Sequence, residues 1–274
     1  MPKLPVALSI AGSEATGGAG AQVDLKTFQA HGVFGAVALT CIVSFDPGAN
    51  WGHRFVPVEP SVIANQLEAI TAAYPADQLN VVKLGMLGTP ATIETVAKAL
   101  KARPYGHVVL DPVLICKGQE PGAALDTDTA LKEQILPLAT FITPNHFETL
   151  SLSGFSRIDS VADLTEAART IHQLSGAAVL AKGGVNLSGP DAVDVYVDAD
   201  TTEILSSPKV GDVQVAGAGC TLAAAVAAQL ALGATPLEAA RAAKAFVTAG
   251  IRGRLTSAAP FDVVSQSAGA ETLG

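Results

Sequence analysis

The sequence predicts an α/β protein organised around a mostly parallel central sheet, and three observations carry that expectation. Short apolar runs closed by glycine or proline turns alternate with amphipathic helical runs over residues 4–251. Such alternation implies right-handed crossovers and a parallel sheet whose ligands bind at the carboxyl ends of the strands. Aromatic residues make up only 5% of the chain while hydrophobic residues reach 49%, which favours close packing of small side chains over an aromatic-rich sandwich. The length of 274 residues suits one domain over residues 1–274, with the polar stretch after Pro260 as a loose tail.

The elements follow in order. Residues 4–11 form a short apolar run closed by Gly12, as a buried strand does. Gly12-Ser13-Glu14-Ala15-Thr16-Gly17-Gly18-Ala19-Gly20 comes next, then a helical run through Val23, Leu25, Phe28 and Ala30. This loop lacks the GxGxxG frame and later acid of a dinucleotide site; it suits either a flat ligand laid against backbone or a flexible turn. Residues 33–45 read as a second strand with Cys41 in the core. Residues 46–57 place turn formers around the single tryptophan, Trp51, and read as a loop or small flap at the sheet edge. There Trp51 and His53 either meet a heteroaromatic ring or staple the loop to the body.

Pro60 opens a helix through Ile63, Leu67 and Ile70, and residues 80–87 are a strand. Residues 89–102 are a helix with Ile93, Val96, Ala97 and Leu100 on one face, and the strand at 107–110 runs into Asp111-Pro112. Residues 113–122 mix apolar, Gly, Pro and charged residues, as a mobile cover over a site or an inert connection would. A helix at 126–136, a short strand at 139–142, a helix at 161–174 and a strand at 177–182 continue the alternation. Val193, Val195 and Val197 alternate with polar residues as a half-exposed strand, which residues 202–205 pair as an edge hairpin. Ala-rich helices at 219–232 and 236–251 finish the fold.

Several functions are excluded by charge. The net charge of −8, with no Lys/Arg cluster, argues against nucleic acid or anionic membrane as partner. Phosphate must then be handled locally, by backbone amides, a metal and a few lysines. Cys41, Cys116 and Cys220 are odd in number, far apart and without metal-type spacing. With no secretion signal at Met1-Pro2-Lys3, they indicate a cytoplasmic protein. The longest late apolar run, 222–232, is too short to span a membrane.

Residues able to do chemistry collect at predicted strand ends. Gly217-Ala218-Gly219-Cys220 runs into an Ala-rich helix, whose first turn offers unpaired N–H groups to an anion and a setting that makes a cysteine more acidic; alone, it equally fits a plain strand-to-helix turn. Asp111 can hold Mg²⁺ or cap the following turn. Asn145 and Glu148, three apart after Thr143-Pro144, can face one cavity, form a capping box, or both. Lys182, beside Gly183 and Gly184, reaches a phosphate or lies on the surface.

These motifs together resemble the ribokinase-like vitamin kinases: Ser9-Ile10-Ala11-Gly12-Ser13 with Gly17-Gly18-Ala19-Gly20 and Asp24-Leu25-Lys26-Thr27-Phe28, then Asp111-Pro112-Val113, Thr143-Pro144-Asn145 with Glu148, Lys182-Gly183-Gly184, and Gly217-Ala218-Gly219-Cys220-Thr221. More closely, they are similar to the branch of hydroxymethylpyrimidine (phosphate) kinases and related bacterial pyridoxal kinases. The resemblance implies a three-layer α/β/α fold with a small edge flap, and Mg²⁺-dependent transfer of the γ-phosphoryl of ATP to a hydroxymethyl group on a heteroaromatic ring. It assigns Gly217, Ala218 and Gly219 to the anion hole and Cys220 to the place where sugar kinases carry an aspartate base. It assigns Asp111 and Glu148 to the metal, and Asn145, Lys182, Gly183 and Gly184 to the nucleotide. Phe45 stands where pyrimidine kinases carry a ring-reading glutamine. The flap and Cys116 instead resemble two-cysteine pyridoxal kinases, so Gly12, Phe45, His53 and Cys116 are expected around the ring.

The reading is therefore a kinase of pyridoxal, pyridoxine and pyridoxamine, with a hydroxymethylpyrimidine kinase as the rival. A non-catalytic vitamer carrier on the same scaffold is the alternative of another class. The resemblance adds a homodimer and room for a monovalent cation. Two departures stand out: Glu14 where relatives have Asp, and Val215-Ala216 where they have Thr-His.

Overall fold

The computed structural model describes residues 4–114 and 121–273. Strands β1 (Val6–Glu14), β2 (Phe34–Asp46), β3 (Gly52–Pro57), β4 (Leu79–Leu84), β5 (His107–Leu110), β6 (Phe141–Ile142), β7 (Ala178–Lys182), β8 (Asp191–Val197) and β9 (Thr202–Pro208) form one sheet in the order β3-β2-β1-β4-β5-β6-β7-β8-β9. The pairs from β2 through β7 are parallel, while β3, β8 and β9 are antiparallel additions at the two edges. The chain leaves β1 towards β2 and returns to β4 on its other side, so the strand order reverses beside β1. That is where open α/β sheets bind ligands.

Helices cover both faces. Helices α2 (Pro60–Ala73), α3 (Pro90–Ala102), α4 (Pro121–Gln134), α5 (His146–Ser153) and α6 (Val161–Ser175) bury one apolar side, and α1 (Gly20–Ala30), α7 (Ala218–Ala231) and α8 (Pro236–Arg252) bury the other. The strands serve the two layers by alternation: Leu8, Val82, Leu110 and Val179 face the first, Ala7, Val81, Val109 and Leu180 the second. Strands buried on both faces read as unbroken apolar runs, which is why the sequence exposes them clearly. Helix α7 is apolar all round, with Ala223, Ala224, Ala225, Ala227 and Ala228 fully buried, so its small side chains let it lie close beneath the sheet.

For residues 46–57 the flap reading holds, and for the segment after Pro260 the expectation changes. Residues 46–57 are not a plain loop: Asp46 caps a short 3-10 turn, Asn50 and Trp51 adopt positive φ (51° and 57°), and β3 returns antiparallel to β2 with His53 opposite Phe45. The segment after Pro260 is not loose. Val263 exchanges backbone hydrogen bonds with Leu255, Val264 donates to Ala216, and helix α9 (Gln266–Ala270) packs on α8. Its ties are main-chain bonds, which almost any composition can make, together with polar side chains such as Asp262 and Gln266 that find partners elsewhere in the chain, so polarity alone misled. Among the described residues no helix is long and apolar enough to cross a membrane.

Candidate active site

The carboxyl ends of β5 and β7 bring Asp111 and Lys182 together. Lys182 Nζ donates to Asp111 Oδ1 at 3.3 Å, and the same oxygen accepts from Thr143 Oγ1 at 3.5 Å. The Lys182 side chain is only 14% exposed, which excludes the surface-lysine reading. Burial works to lower its pKa, but Asp111 and Glu148 hold it above the ordinary value, so it is a fixed positive charge. The glycine turn reaches this pair from the other side of the sheet end. A Cβ built on Gly219 would stand 3.3 Å from Lys182 Nζ and 3.8 Å from either carboxylate oxygen of Asp111.

Asn145 and Glu148 form the capping box at the start of α5: Asn145 Oδ1 accepts from Glu148 N–H at 2.9 Å and Glu148 Oε2 from Asn145 N–H at 2.7 Å. The capping-box reading thus holds, and Glu148 also lies in the electrostatic field of Lys182 and Asp111. Burial, with Asp111 adding to it and Lys182 opposing it, pushes the Glu148 carboxyl up to about 7. The folded protein therefore holds this proton more tightly than the unfolded chain, whose ordinary value is 4.5. Its contribution favours folding at low pH and is lost as pH rises from 4.5 to about 7, a difference on the order of 3 kcal/mol. Glu148→Gln keeps the capping acceptor and removes the titration. In the absence of metal, its melting temperature at pH 8 is expected to exceed the parent's by about 5 °C, with the gap closing at pH 4.5. Equal melting at both pH values would refute the assignment.

The turn before α7 is built on Gly217, whose φ of 78° is the left-handed conformation that glycine adopts freely. A Cβ there would come within 2.1 Å of the Gly18 carbonyl oxygen, so the Gly-rich loop and the anion turn touch backbone to backbone. Glu14 braces that loop: it accepts from Thr16 N–H (2.6 Å), Thr16 Oγ1 (2.8 Å) and Gly18 N–H (2.8 Å). The extra methylene over Asp is thus absorbed by a full set of hydrogen bonds.

Cys220 lies in the first turn of α7 and accepts from the Gly20 N–H. The expectation of an acidic thiol is corrected here. Burial pushes it up to about 11; Lys83 opposes this, while Asp111 and Asp24 add to it. Desolvation and two carboxylates outweigh Lys83 and the Gly20 N–H.

Lys83 was missed by sequence reasoning. It stands in β4, fully buried, with Nζ 2.9 Å from Asp24 Oδ2, which also accepts from Ser9 Oγ at 2.5 Å. Burial works to lower the Lys83 pKa, but Asp24, Cys220 and Asp111 keep it above the ordinary value, so it stays charged beside the turn. A lysine inside the apolar strand Val81-Val82-Lys83-Leu84 was the available signal: an unpaired charge cannot sit there. Its partner is 59 residues away in sequence.

Gly12 ends the apolar part of β1 against Cys41. A Cβ on Gly12 would stand 2.4 Å from Cys41 Sγ, and Cys41 is a buried core thiol with its pKa pushed up to about 11 by burial. Nearby, Phe45 meets His53 edge-on at 4.7 Å between centroids, Phe261 at 5.1 Å and Trp51 at 6.3 Å. Gly183 is required by β8, since an added Cβ would lie 2.4 Å from Val193 O; Gly184 has φ 56°. Cys116 and most of the expected cover, residues 115–120, lie outside the described residues.

Among the described residues no cluster of three or more His, Cys, Asp or Glu side chains forms a metal cage. Asp111 and Glu148, the first within the range at which its charge acts on the second, are nonetheless the donor type that Mg²⁺ takes, one or two carboxylates with water and phosphate oxygens completing the shell.

Comparison with known proteins follows the same lines. Residues 14–262 match the family model described as phosphomethylpyrimidine kinase. The chain is 46% identical over 246 residues to a pyridoxine kinase of Bacillus subtilis, covering 90% of each. It is similar in structure to an ADP complex of Bacillus subtilis pyridoxal kinase (TM-score 0.90, 44% identity, 97% of this chain and 98% of that one). The Staphylococcus aureus pyridoxal kinase in complex with AMP-PCP and pyridoxal has TM-score 0.88 and 36% identity, over 97% and 94% of the two chains.

Proposed function

The chain belongs to the phosphomethylpyrimidine kinase family, and from that membership we infer that it is a ribokinase-like kinase transferring the γ-phosphoryl group of ATP to the 5′-hydroxymethyl group of pyridoxal, and of pyridoxine and pyridoxamine. The observation that carries the choice of ring is Phe45. Its phenyl group, edge-on to His53, has no donor or acceptor with which to read an aminopyrimidine, and the similar Bacillus subtilis and Staphylococcus aureus proteins are a pyridoxine kinase and a pyridoxal kinase.

The chemistry asks the protein for position, charge neutralisation and a proton acceptor. The hydroxymethyl oxygen forms a bond to the γ-phosphorus, the bond from that phosphorus to the bridging oxygen breaks, and ADP carries away the electron pair. Gly217, Ala218 and Gly219 form the turn that faces the charge on the moving phosphoryl group, with the Ala218 N–H donating to Val215 O at 3.3 Å within the turn itself. Lys182 sits 3.3 Å from Asp111 and so offers its positive charge at the same place. Asn145, whose oxygen is spent on the cap, is assigned to the nucleotide side of the site. Asp111 and Glu148 would hold Mg²⁺, which supplies charge neutralisation between the phosphates when bound. Cys220 takes the hydroxyl proton as thiolate. Gly12, Phe45 and His53 hold the ring, with Gly183 and Gly184 beside the nucleotide. We further propose that the protein is cytoplasmic, works as a homodimer and has room for a monovalent cation.

Rates with pyridoxal and with hydroxymethylpyrimidine, measured side by side with ATP and Mg²⁺, test this reading. The expected result is a kcat/KM for pyridoxal at least about tenfold higher. Faster pyrimidine turnover would overturn it, and vitamer binding without ATP consumption would indicate a carrier.

A further inference from the structure

The segment that follows α8 touches each described part of the site on its ring side. Phe261 brings a fourth ring to the flap, 5.1 Å from Phe45 and 6.0 Å from Trp51 between centroids, the latter edge-on at 85°. Two residues later, Val263 lies so near the Gly-rich loop that a Cβ on Gly18 would stand 2.6 Å from its Cγ1. Around it, Ala216 N–H donates to Asp262 O at 2.9 Å and Val264 N–H donates to Ala216 O at 3.1 Å. Gln266 Nε2 then donates to Thr221 Oγ1 at 3.0 Å, with both residues buried at the start of α7. The strap is anchored at its own base by the paired bonds between Leu255 and Val263 (2.9 and 3.0 Å) and by Ser265 N–H to Gly250 O at 3.1 Å.

We propose that Phe261 is a specificity-determining residue for the pyridine ring, delivered to the site by residues 255–266, whose backbone also holds the residue before the anion turn in place. The proposal rests on the reading that the substrate is a pyridoxal-type vitamer. Four rings collect where β2, β3 and the strap meet, and all four remain partly exposed although each is held by its neighbours. Ring faces fixed in place but open to solvent offer a preorganised wall for a flat heteroaromatic ligand. That wall is next to the Gly-rich loop: Ser13 and Glu14 pair with Ile42 and Val43, two residues before Phe45. Ring and phosphoryl turn are then tied through one short segment. At Val215-Ala216, where this chain lacks the Thr-His pair of the family it resembles, main-chain bonds from the strap take Ala216 on both its N–H and its C=O.

Trp51 is the only tryptophan and belongs to the ring cluster, so its fluorescence reports pyridoxal binding without turnover. Kd for pyridoxal by Trp51 fluorescence, and KM for pyridoxal and for ATP, are compared among the parent, Phe261→Ala, Phe261→Leu and Phe261→Tyr. Phe261→Ala is expected to raise Kd and KM for pyridoxal about tenfold, with KM for ATP within about twofold of the parent. Phe261→Leu, which keeps apolar bulk and guards against a variant that fails to fold, is expected to weaken pyridoxal about threefold, and Phe261→Tyr to restore it. Unchanged pyridoxal constants in Phe261→Leu or Phe261→Ala, or equal weakening of pyridoxal and ATP, would overturn the proposal while leaving the kinase reading intact. A parent protein that neither binds nor phosphorylates pyridoxal would overturn both.

Discussion

Gly217→Ala is expected to lower kcat about 100-fold or more while the protein still folds. Position 217 has φ 78°, and a Cβ there would lie 2.1 Å from the Gly18 carbonyl oxygen. The left-handed backbone disfavours alanine by about 1–2 kcal/mol, but the overlap is the larger effect because no rotamer change relieves it. Either the Gly-rich loop or the first turn of α7 must move. A shift near 1 Å takes the N–H groups off the place where charge develops, and displacements of that size reduce rates about 100-fold. Gly233→Ala is the control: Gly233 has φ 92° but nothing within 4 Å of an added Cβ, and it lies at the far end of α7. It is expected to reduce stability by about 1 kcal/mol and leave kcat unchanged. Steady-state kinetics with thermal melting of both variants checks this, and a Gly217→Ala enzyme within threefold of the parent would remove the turn from the mechanism.

Cys220→Ala is expected to lower kcat for pyridoxal by about 100-fold to 1000-fold, the range for loss of a positioned general base. Because burial holds the thiol up near 11, only a small fraction is thiolate at neutral pH. The parent's kcat is therefore expected to rise with pH between about 7 and 10, and the alanine variant's to stay flat. The protonated thiol has a second reaction available: sulfur bonds to C4′ of the pyridoxal aldehyde as the carbonyl π bond opens, and the thiol proton moves to oxygen, giving a hemithioacetal. Mass spectrometry or absorbance of the pyridoxal complex reads that adduct, which Cys220→Ala should abolish. Full turnover and no adduct difference in the variant would sink both roles.

Much of this site was legible before any coordinates. Asp111, Lys182 and Asn145 with Glu148 stand at the ends of apolar runs, and a parallel sheet sends every such end to one rim, whereas the Gly217 turn is reached by a loop from the edge strand β9. The capping box at Asn145 and Glu148 is a local arrangement, readable from a spacing of three. Lys83 was not legible as a site residue, because nothing in β4 reveals that Asp24 and Ser9 meet it in the interior. The strap was hidden for a different reason. Its main-chain bonds at Asp262, Val263 and Val264 carry no side-chain signature, and the partner of Gln266, Thr221, is 45 residues away in sequence.

By itself, the sequence determined the alternation of strands and helices, the glycine-permitted turns and the chemical types gathered at the strand ends. Those depend on backbone preference and hydrophobic period, which act within a few residues. Only the tertiary structure decided that Cys220 is a half-buried thiol pushed up to about 11, that burial pushes the Glu148 carboxyl up to about 7, that Lys83 is a paired interior cation and that Phe261 joins the flap. Desolvation and Coulomb energy are sums over whatever surrounds a group, and here the surroundings come from segments tens of residues apart.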